Sequence, residues 1–236
     1  ADTFGYSIAA SDNYIYISAP RAGTNANGGA NYQGVIYAIS KNYAHLITQS
    51  CDIETLLGNH PEMGIIIQNN SAVHNANGDN SDLEGYGLKA LDGGWVAIYS
   101  HWNDKVFFIK EPLPQNLDLK DISNAPDGYN EHGFMITDND WARYFAFNVG
   151  SIANKDGTLT FLIGDIASAR GEHGAITTVT FDPANGKWGN ITLKADPANG
   201  TEHAGWVPES NLPEGMSVGH IDHEDWTTTG TTQNNN

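Results

Sequence analysis

Short runs of β-branched and aromatic residues, each closed off by Gly, Asn, Asp or Pro, recur along this chain, and no stretch holds a helical spacing of apolar residues for three turns. The runs lie at residues 14–18, 34–39, 95–99, 105–109, 144–147, 159–163 and 175–181. The nearest approach to a helix, residues 51–57, is one or two turns long. The expected class is therefore all-β with minimal helix. The 26 glycines and ten tyrosines fit tight turns joining aromatic-rich strands.

The strands follow a recurring opening. Phe4-Gly5-Tyr6-Ser7-Ile8-Ala9 leads into an Asp-Asn pair and a second strand, and Glu84-Gly85-Tyr86-Gly87-Leu88 does the same through Asp92-Gly93. His132-Gly133-Phe134 reads as a third opening, entering the run that ends at Phe147, and Gly215-Met216-Ser217-Val218-Gly219 as a fourth. Glycine and an aromatic turn the chain, a short strand follows, a tight hairpin reverses it, and a second strand returns. A sheet unit of this kind cannot bury both faces alone. Radial stacking of units solves that problem and leaves only short edges, so a β-propeller of about four to five recognisable blades is expected, complete or as part of a larger one.

The first unit resembles an FG-GAP repeat. It carries Phe4-Gly5, then Ile17-Ser18-Ala19-Pro20 with Ser18 where the family has glycine, then Gly34-Val35-Ile36-Tyr37. Residues 161–165 followed by 174–176 resemble the second half of such a repeat. The resemblance to FG-GAP repeats of integrin-α-like propellers implies an extracellular or cell-surface domain that presents loops on one face for adhesion or ligand binding. Residues 1–226 form the expected domain or segment, and residues 227–236 a polar low-complexity tail that cuts off the fourth opening. Further segments of the same polypeptide or assembly are expected partners.

Composition narrows the partners. There are 11 Lys and Arg against 28 Asp and Glu, a formal net charge of −17, which opposes the electrostatic attraction behind binding to nucleic acid and to anionic membranes. No run of apolar residues is long enough for a membrane-spanning helix, so no membrane insertion is expected. The first residues lack the regions of a signal peptide, so an exported chain would already be processed or be a cut-out segment. One cysteine, Cys51, allows neither an internal disulfide nor a thiolate metal cluster.

Calcium is the expected ion, because FG-GAP-like loops present alternating oxygen ligands to a hard cation. Asn75, Asn77 and Asp79 alternate in that way, and Asp222 with Glu224 form a second acidic stretch, beside His220 and His223, which would suit a transition metal instead. Residues 150–157 align with a calcium loop but place Ala153 and Lys155 near ligand positions. For a glycan or extracellular protein, Trp102, Asn103 and Trp188 supply stacking and amide groups at turns, and Arg21 a cation for an anionic partner. The alternative for Trp188 is packing between blades. No nucleophile motif occurs, so no catalytic residue is assigned and a binding domain is favoured over an enzyme. A glycoside hydrolase on a propeller scaffold, using two carboxylates in one cleft, is the first alternative. A structural module of a surface or matrix assembly is the second.

Overall fold

The computed structural model describes residues 3–20, 22, 34–48, 50–69, 87–100, 104–125, 128–138, 145–165, 175–195, 206–208 and 211–222. Among them the chain is predominantly β-strand. The strands are β1 (Ile8–Ala10), β2 (Tyr14–Ala19), β3 (Val35–Ser40), β4 (Gly64–Gln68), β5 (Gly87–Leu91), β6 (Trp95–Ser100), β7 (Lys105–Lys110), β8 (Asn116–Asp118), β9 (Gly133–Asp138), β10 (Asn148–Ala153), β11 (Leu159–Asp165), β12 (Ala175–Phe181), β13 (Ile191–Ala195), β14 (Trp206–Pro208) and β15 (Met216–Asp222). Three short helices accompany them: α1 (Lys41–Ala44), α2 (Ile53–Asn59) and α3 (Leu119–Ser123).

The registers reveal one antiparallel four-stranded unit used three times. Unit one runs β1-β2-β3-β4, unit two β5-β6-β7-β9, and unit three β10-β11-β12-β15. The units correspond rung by rung in register. In the second and third strands Ile17 pairs with Tyr37, Ile98 with Phe107 and Ile163 with Thr177. In the third and fourth, Ile36 pairs with Ile67, Val106 with Ile136 and Ile176 with Ile221.

Each connection from third to fourth strand in units two and three reaches back to the preceding unit. β8 leaves unit two and pairs in parallel with β4, placing Leu117 opposite Ile67. β13 leaves unit three and pairs in parallel with β9, placing Ile191 opposite Ile136, and β14 adds outside it. Four-stranded sheets thus grow to five and six strands, while the third keeps four.

Alternate residues along each strand point to opposite faces, so each unit has two apolar faces to cover. One face of unit one, with Tyr16, Ile36 and Ile67, packs on Leu88, Ile98 and Phe107 of unit two. The opposite face of unit two, with Trp95, Phe108 and Ile136, packs on Phe161, Val179 and Phe181 of unit three. Trp95 anchors that second layer. It is fully buried and lies edge-on to Phe134, Phe161, Phe181 and Trp188 with ring centroids 5.0–5.7 Å apart, contacts worth about 0.5–1.5 kcal/mol each beyond area burial. The outer face of unit one, with Ala19, Val35 and Tyr37, is covered by Leu57 and the half-buried Ile53 and Leu56 of α2.

The third and fourth openings read from sequence are corrected by this topology. Gly133 starts β9, the last strand of unit two, and Met216–Asp222 is β15, the last strand of unit three. Unit three opens instead at Phe145-Ala146-Phe147, which is a turn and not the strand expected over residues 144–147. Ala146 there has φ +56°, in the left-handed region where Gly5 of unit one sits at φ +82°. The turn requires the conformation and glycine is its usual carrier, so an alanine in its place hides the repeat from a glycine-based reading. Three four-stranded units, not four or five, occur among the described residues.

Candidate ligand-binding groove

The reach-back connection of unit two does more than extend the neighbouring sheet. Asp118 caps α3 by accepting from the Lys120 amide at 2.9 Å, which ends β8 and turns the chain. Leu119 and Ile122 are fully buried in the core between units one and two, so α3 is fixed by its apolar side and exposes Asp121 on the other. The chain returns to β9 through a turn at 128–132. Gly128, at φ +75°, lies close against Asn190, the residue just before β13.

Asn190 is the clamp of this return. Its amide nitrogen donates to the carbonyl of Ile122 at 2.7 Å, its side-chain oxygen accepts from the Met135 amide at 2.7 Å, and its backbone N–H donates to the Gly128 carbonyl at 2.8 Å. Asn130 orders the rest: its side-chain oxygen accepts from the His132 amide at 2.8 Å, and its Nδ2 donates to the Asp121 carbonyl at 3.2 Å.

Between α3 and this turn lies a groove of about 480 Å³, lined by Asn116, Asp121, Tyr129, Asn130, Glu131 and His132 among others. Tyr129 is the aromatic on its wall, 47% exposed, and its ring lies 6.2 Å from that of Trp188. The groove therefore combines one exposed aromatic face with amide, carboxylate and imidazole groups on a backbone pinned by several hydrogen bonds. Rigid presentation of that kind lowers the entropy cost of ligand binding. Glu131 lies 3.5 Å from His132, with its side chain 76% exposed.

Of the residues selected from sequence, Trp188 is the one whose side chain can be placed, and it stands beneath this groove. It is only 7% exposed, packs against Trp95 and Phe181, and donates its indole N–H to the Asn130 carbonyl at 2.8 Å. Its ring is occupied by the core and leaves no open face for a sugar, so its contribution is to brace Tyr129 and Asn130 from below. Asp222 ends β15 in register with Ala175. Arg21, Asn75, Asn77, Asp79, Trp102, Asn103 and Glu224 lie outside the described residues. Residues 154–158 form a hairpin turn in which Asp156 accepts from the Thr158 hydroxyl at 2.7 Å and amide at 3.0 Å. Those hydrogen bonds, the side-chain one foremost, hold its carboxyl below the usual range, and Gly157 completes the turn at φ +90°. Among the described residues no three His, Cys, Asp or Glu side chains converge on one point.

Tyr129 escaped the reading from sequence because it stands in no strand and no repeat. Its use follows from Trp188 and Asn190, about 60 residues away in sequence, and no local pattern reports that contact. A second polar cluster is buried and not open to ligand. Glu111 of unit two is 6% exposed and accepts from Tyr16 Oη at 2.6 Å, from Asn13 Nδ2 at 2.7 Å and from Ser11 Oγ, all in unit one. It joins two units.

The chain matches no protein-family model and no curated protein. No helix among the described residues is long and apolar enough to cross a membrane.

Proposed function

We propose that the chain is an extracellular binding domain whose three stacked units are blades of the β-propeller type, similar to FG-GAP repeats, and that it takes a glycan in the groove at Tyr129. The observation that carries this reading is an exposed tyrosine ring held over a buried tryptophan beside Asn116, Asp121 and Glu131. A pyranose offers an apolar face to such a ring and hydroxyls to amides and carboxylates. The shared rungs of the three units, and the left-handed turn common to Gly5 and Ala146, support reading them as one repeated blade. Calcium remains the proposed ion for the oxygen-bearing stretches at 75–79 and 222–224.

Two carboxylates, Asp121 and Glu131, share the groove, as a glycoside hydrolase would need. Glycosidic protonation requires an acid shielded from water, and the Glu131 side chain is 76% exposed. Binding is therefore the function favoured.

The test is binding to a panel of soluble oligosaccharides by calorimetry, with Tyr129→Ala beside the native chain. Loss of one stacking face should weaken a bound sugar about tenfold, or ~1.4 kcal/mol, without altering the melting temperature by more than a degree or two. Unchanged affinity in the variant, or no binding by the native chain to any sugar, would refute the assignment. Release of reducing ends from a bound sugar would favour the hydrolase.

A further inference from the structure

Units one and two each bury the face that carries the third-to-fourth-strand isoleucine or valine pair, and each receives a parallel strand on its last edge. Ile36 and Ile67 are fully buried, as are Val106 and Ile136. Unit three presents the same face and the same edge without either cover among the described residues. Its equivalent pair, Ile176 and Ile221, is 38% and 56% exposed, and Ile152 on the same face is 47% exposed. β15 pairs with β12 on one side and with no described strand on the other.

The complement of this end exists at the other end of the same chain. On unit one, Ile8 is 62% exposed and Ile15 and Ile17 are half-buried, at the rungs where unit two places Leu88, Val96 and Ile98 in the core beneath unit one. The connection from β3 to β4 also repeats the chemistry of β8. Asp118 ends β8 and caps α3; Asp52 caps α2, accepting from the Thr55 amide at 2.8 Å. Ser50-Cys51-Asp52 thereby corresponds to Asn116-Leu117-Asp118, but it is exposed and belongs to no strand.

We propose that copies of this chain associate head to tail: the open face and edge of unit three in one copy receive unit one of the next, and Ser50–Asp52 adds to β15 as a parallel strand. The register follows from the two internal precedents. Leu117 stands opposite Ile67 and Ile191 opposite Ile136, so Cys51 of one copy stands opposite Ile221 of its neighbour. Such an interface joins two different surfaces and therefore propagates or closes into a ring, unlike a two-fold dimer. Each chain carries a net charge of −17, so association strengthens as salt screens the repulsion between copies.

Cross-linking tests the register directly. Parallel neighbouring strands bring paired Cα atoms to about 4.8 Å, inside the range a disulfide spans. In Ile221→Cys, mild oxidation at raised salt should yield a ladder of covalent dimers, trimers and longer species joined 51 to 221, identified by peptide mass. Native protein can give only the 51-to-51 dimer. Ile152→Cys, on the same exposed face but three strands away from that edge at roughly 14 Å, should give no ladder. Adding Ile8→Lys to Ile221→Cys should abolish the ladder, and both substitutions fall on exposed side chains that leave the fold intact. A native chain that sediments as a monomer at every concentration and salt, or a ladder lacking 51-to-221 links, would overturn the proposal.

Discussion

Replacing Glu111 with alanine should destabilise the chain by about 3 kcal/mol. Three donors from unit one converge on this carboxylate: Tyr16 Oη, Asn13 Nδ2 and Ser11 Oγ. Tyr16 is fully buried, so its hydroxyl would lose its charged partner and keep only the Ser11 hydroxyl beside it, at a cost of about 1–3 kcal/mol. Ser11 is nearly buried and would lose a charge-assisted hydrogen bond, worth about 1.5–3 kcal/mol when made, part of which water recovers. Asn13 is exposed and returns to water at little cost. Tyr16→Phe alone leaves the acid two donors and should cost about 1.5 kcal/mol. In the double variant the hydroxyl that Glu111 satisfied disappears with the acid, so the loss should fall below that of Glu111→Ala alone, to about 1.5 kcal/mol rather than the roughly 4.5 of simple addition, a coupling of about 3 kcal/mol. Urea unfolding of the four proteins measures this, provided the slope with denaturant is unchanged. A loss under 1 kcal/mol in Glu111→Ala, or strict additivity, would show that the cluster does not hold units one and two together.

Alkaline titration should report the same contact: burial first, then the hydrogen bond to Glu111, pushes the Tyr16 hydroxyl well above its ordinary range. The unfolded chain then loses its phenolic proton first, so stability present below about pH 10 falls as pH rises, by up to ~1.4 kcal/mol per unit for this one group. Tyr16→Phe should flatten the fall in unfolding free energy between pH 9 and 11, leaving the smaller slope from Tyr14 and Tyr99, whose hydroxyls are also raised mainly by burial. Thr177→Val should stabilise by about 1 kcal/mol, roughly 2–4 °C in Tm, because the Thr177 hydroxyl is buried without a hydrogen-bond partner at the rung where units one and two place Tyr37 and Phe107; a lower Tm would show that the hydroxyl is satisfied. Gly133→Ala should cost at least 2–3 kcal/mol, since a Cβ there would lie 2.1 Å from the Phe108 carbonyl oxygen, and calorimetry showing less than a degree of change would refute that close approach.

The strands were legible because burial on both faces makes them nearly continuous apolar runs, as in Val106-Phe107-Phe108-Ile109 and Val35-Ile36-Tyr37-Ala38-Ile39. The repeat was only half legible. Its opening is marked in unit one by Gly5, while Ala146 in unit three accepts the same left-handed turn and removes the marker. Gly133 misled in the opposite sense: it is required by the approach of the Phe108 carbonyl at the start of a last strand, not by a turn that opens a unit. Short strands at the rim carry least signal of all. β8 has three residues, and it exists because β4 offers an edge, a fact located 50 residues upstream. Trp188 reads from sequence as an aromatic near a turn, yet whether such a ring faces sugar or core depends on the layer beneath it, which composition does not specify.

One architectural device accounts for both the cohesion of the stack and the position of the groove. A unit that packs on its neighbour through apolar faces alone could slide or rotate, since hydrophobic contact is not directional. The reach-back strands supply direction: β8 fixes unit two against β4, and β13 fixes unit three against β9, each by parallel backbone hydrogen bonds in a single register. Having crossed to the neighbour, the chain must return to its own last strand, and that return runs over the surface as α3 and the turn at 128–132. Asn190, at the start of the next reach-back strand, clamps it there. The groove at Tyr129 is thus formed where two successive reach-back connections meet, a place that cannot exist in an isolated unit. Substitution of Asn190 by alanine should then loosen the groove and the junction of units two and three together. Amide exchange should accelerate at Met135 and at the 128–132 turn while the first hairpin of unit one stays protected.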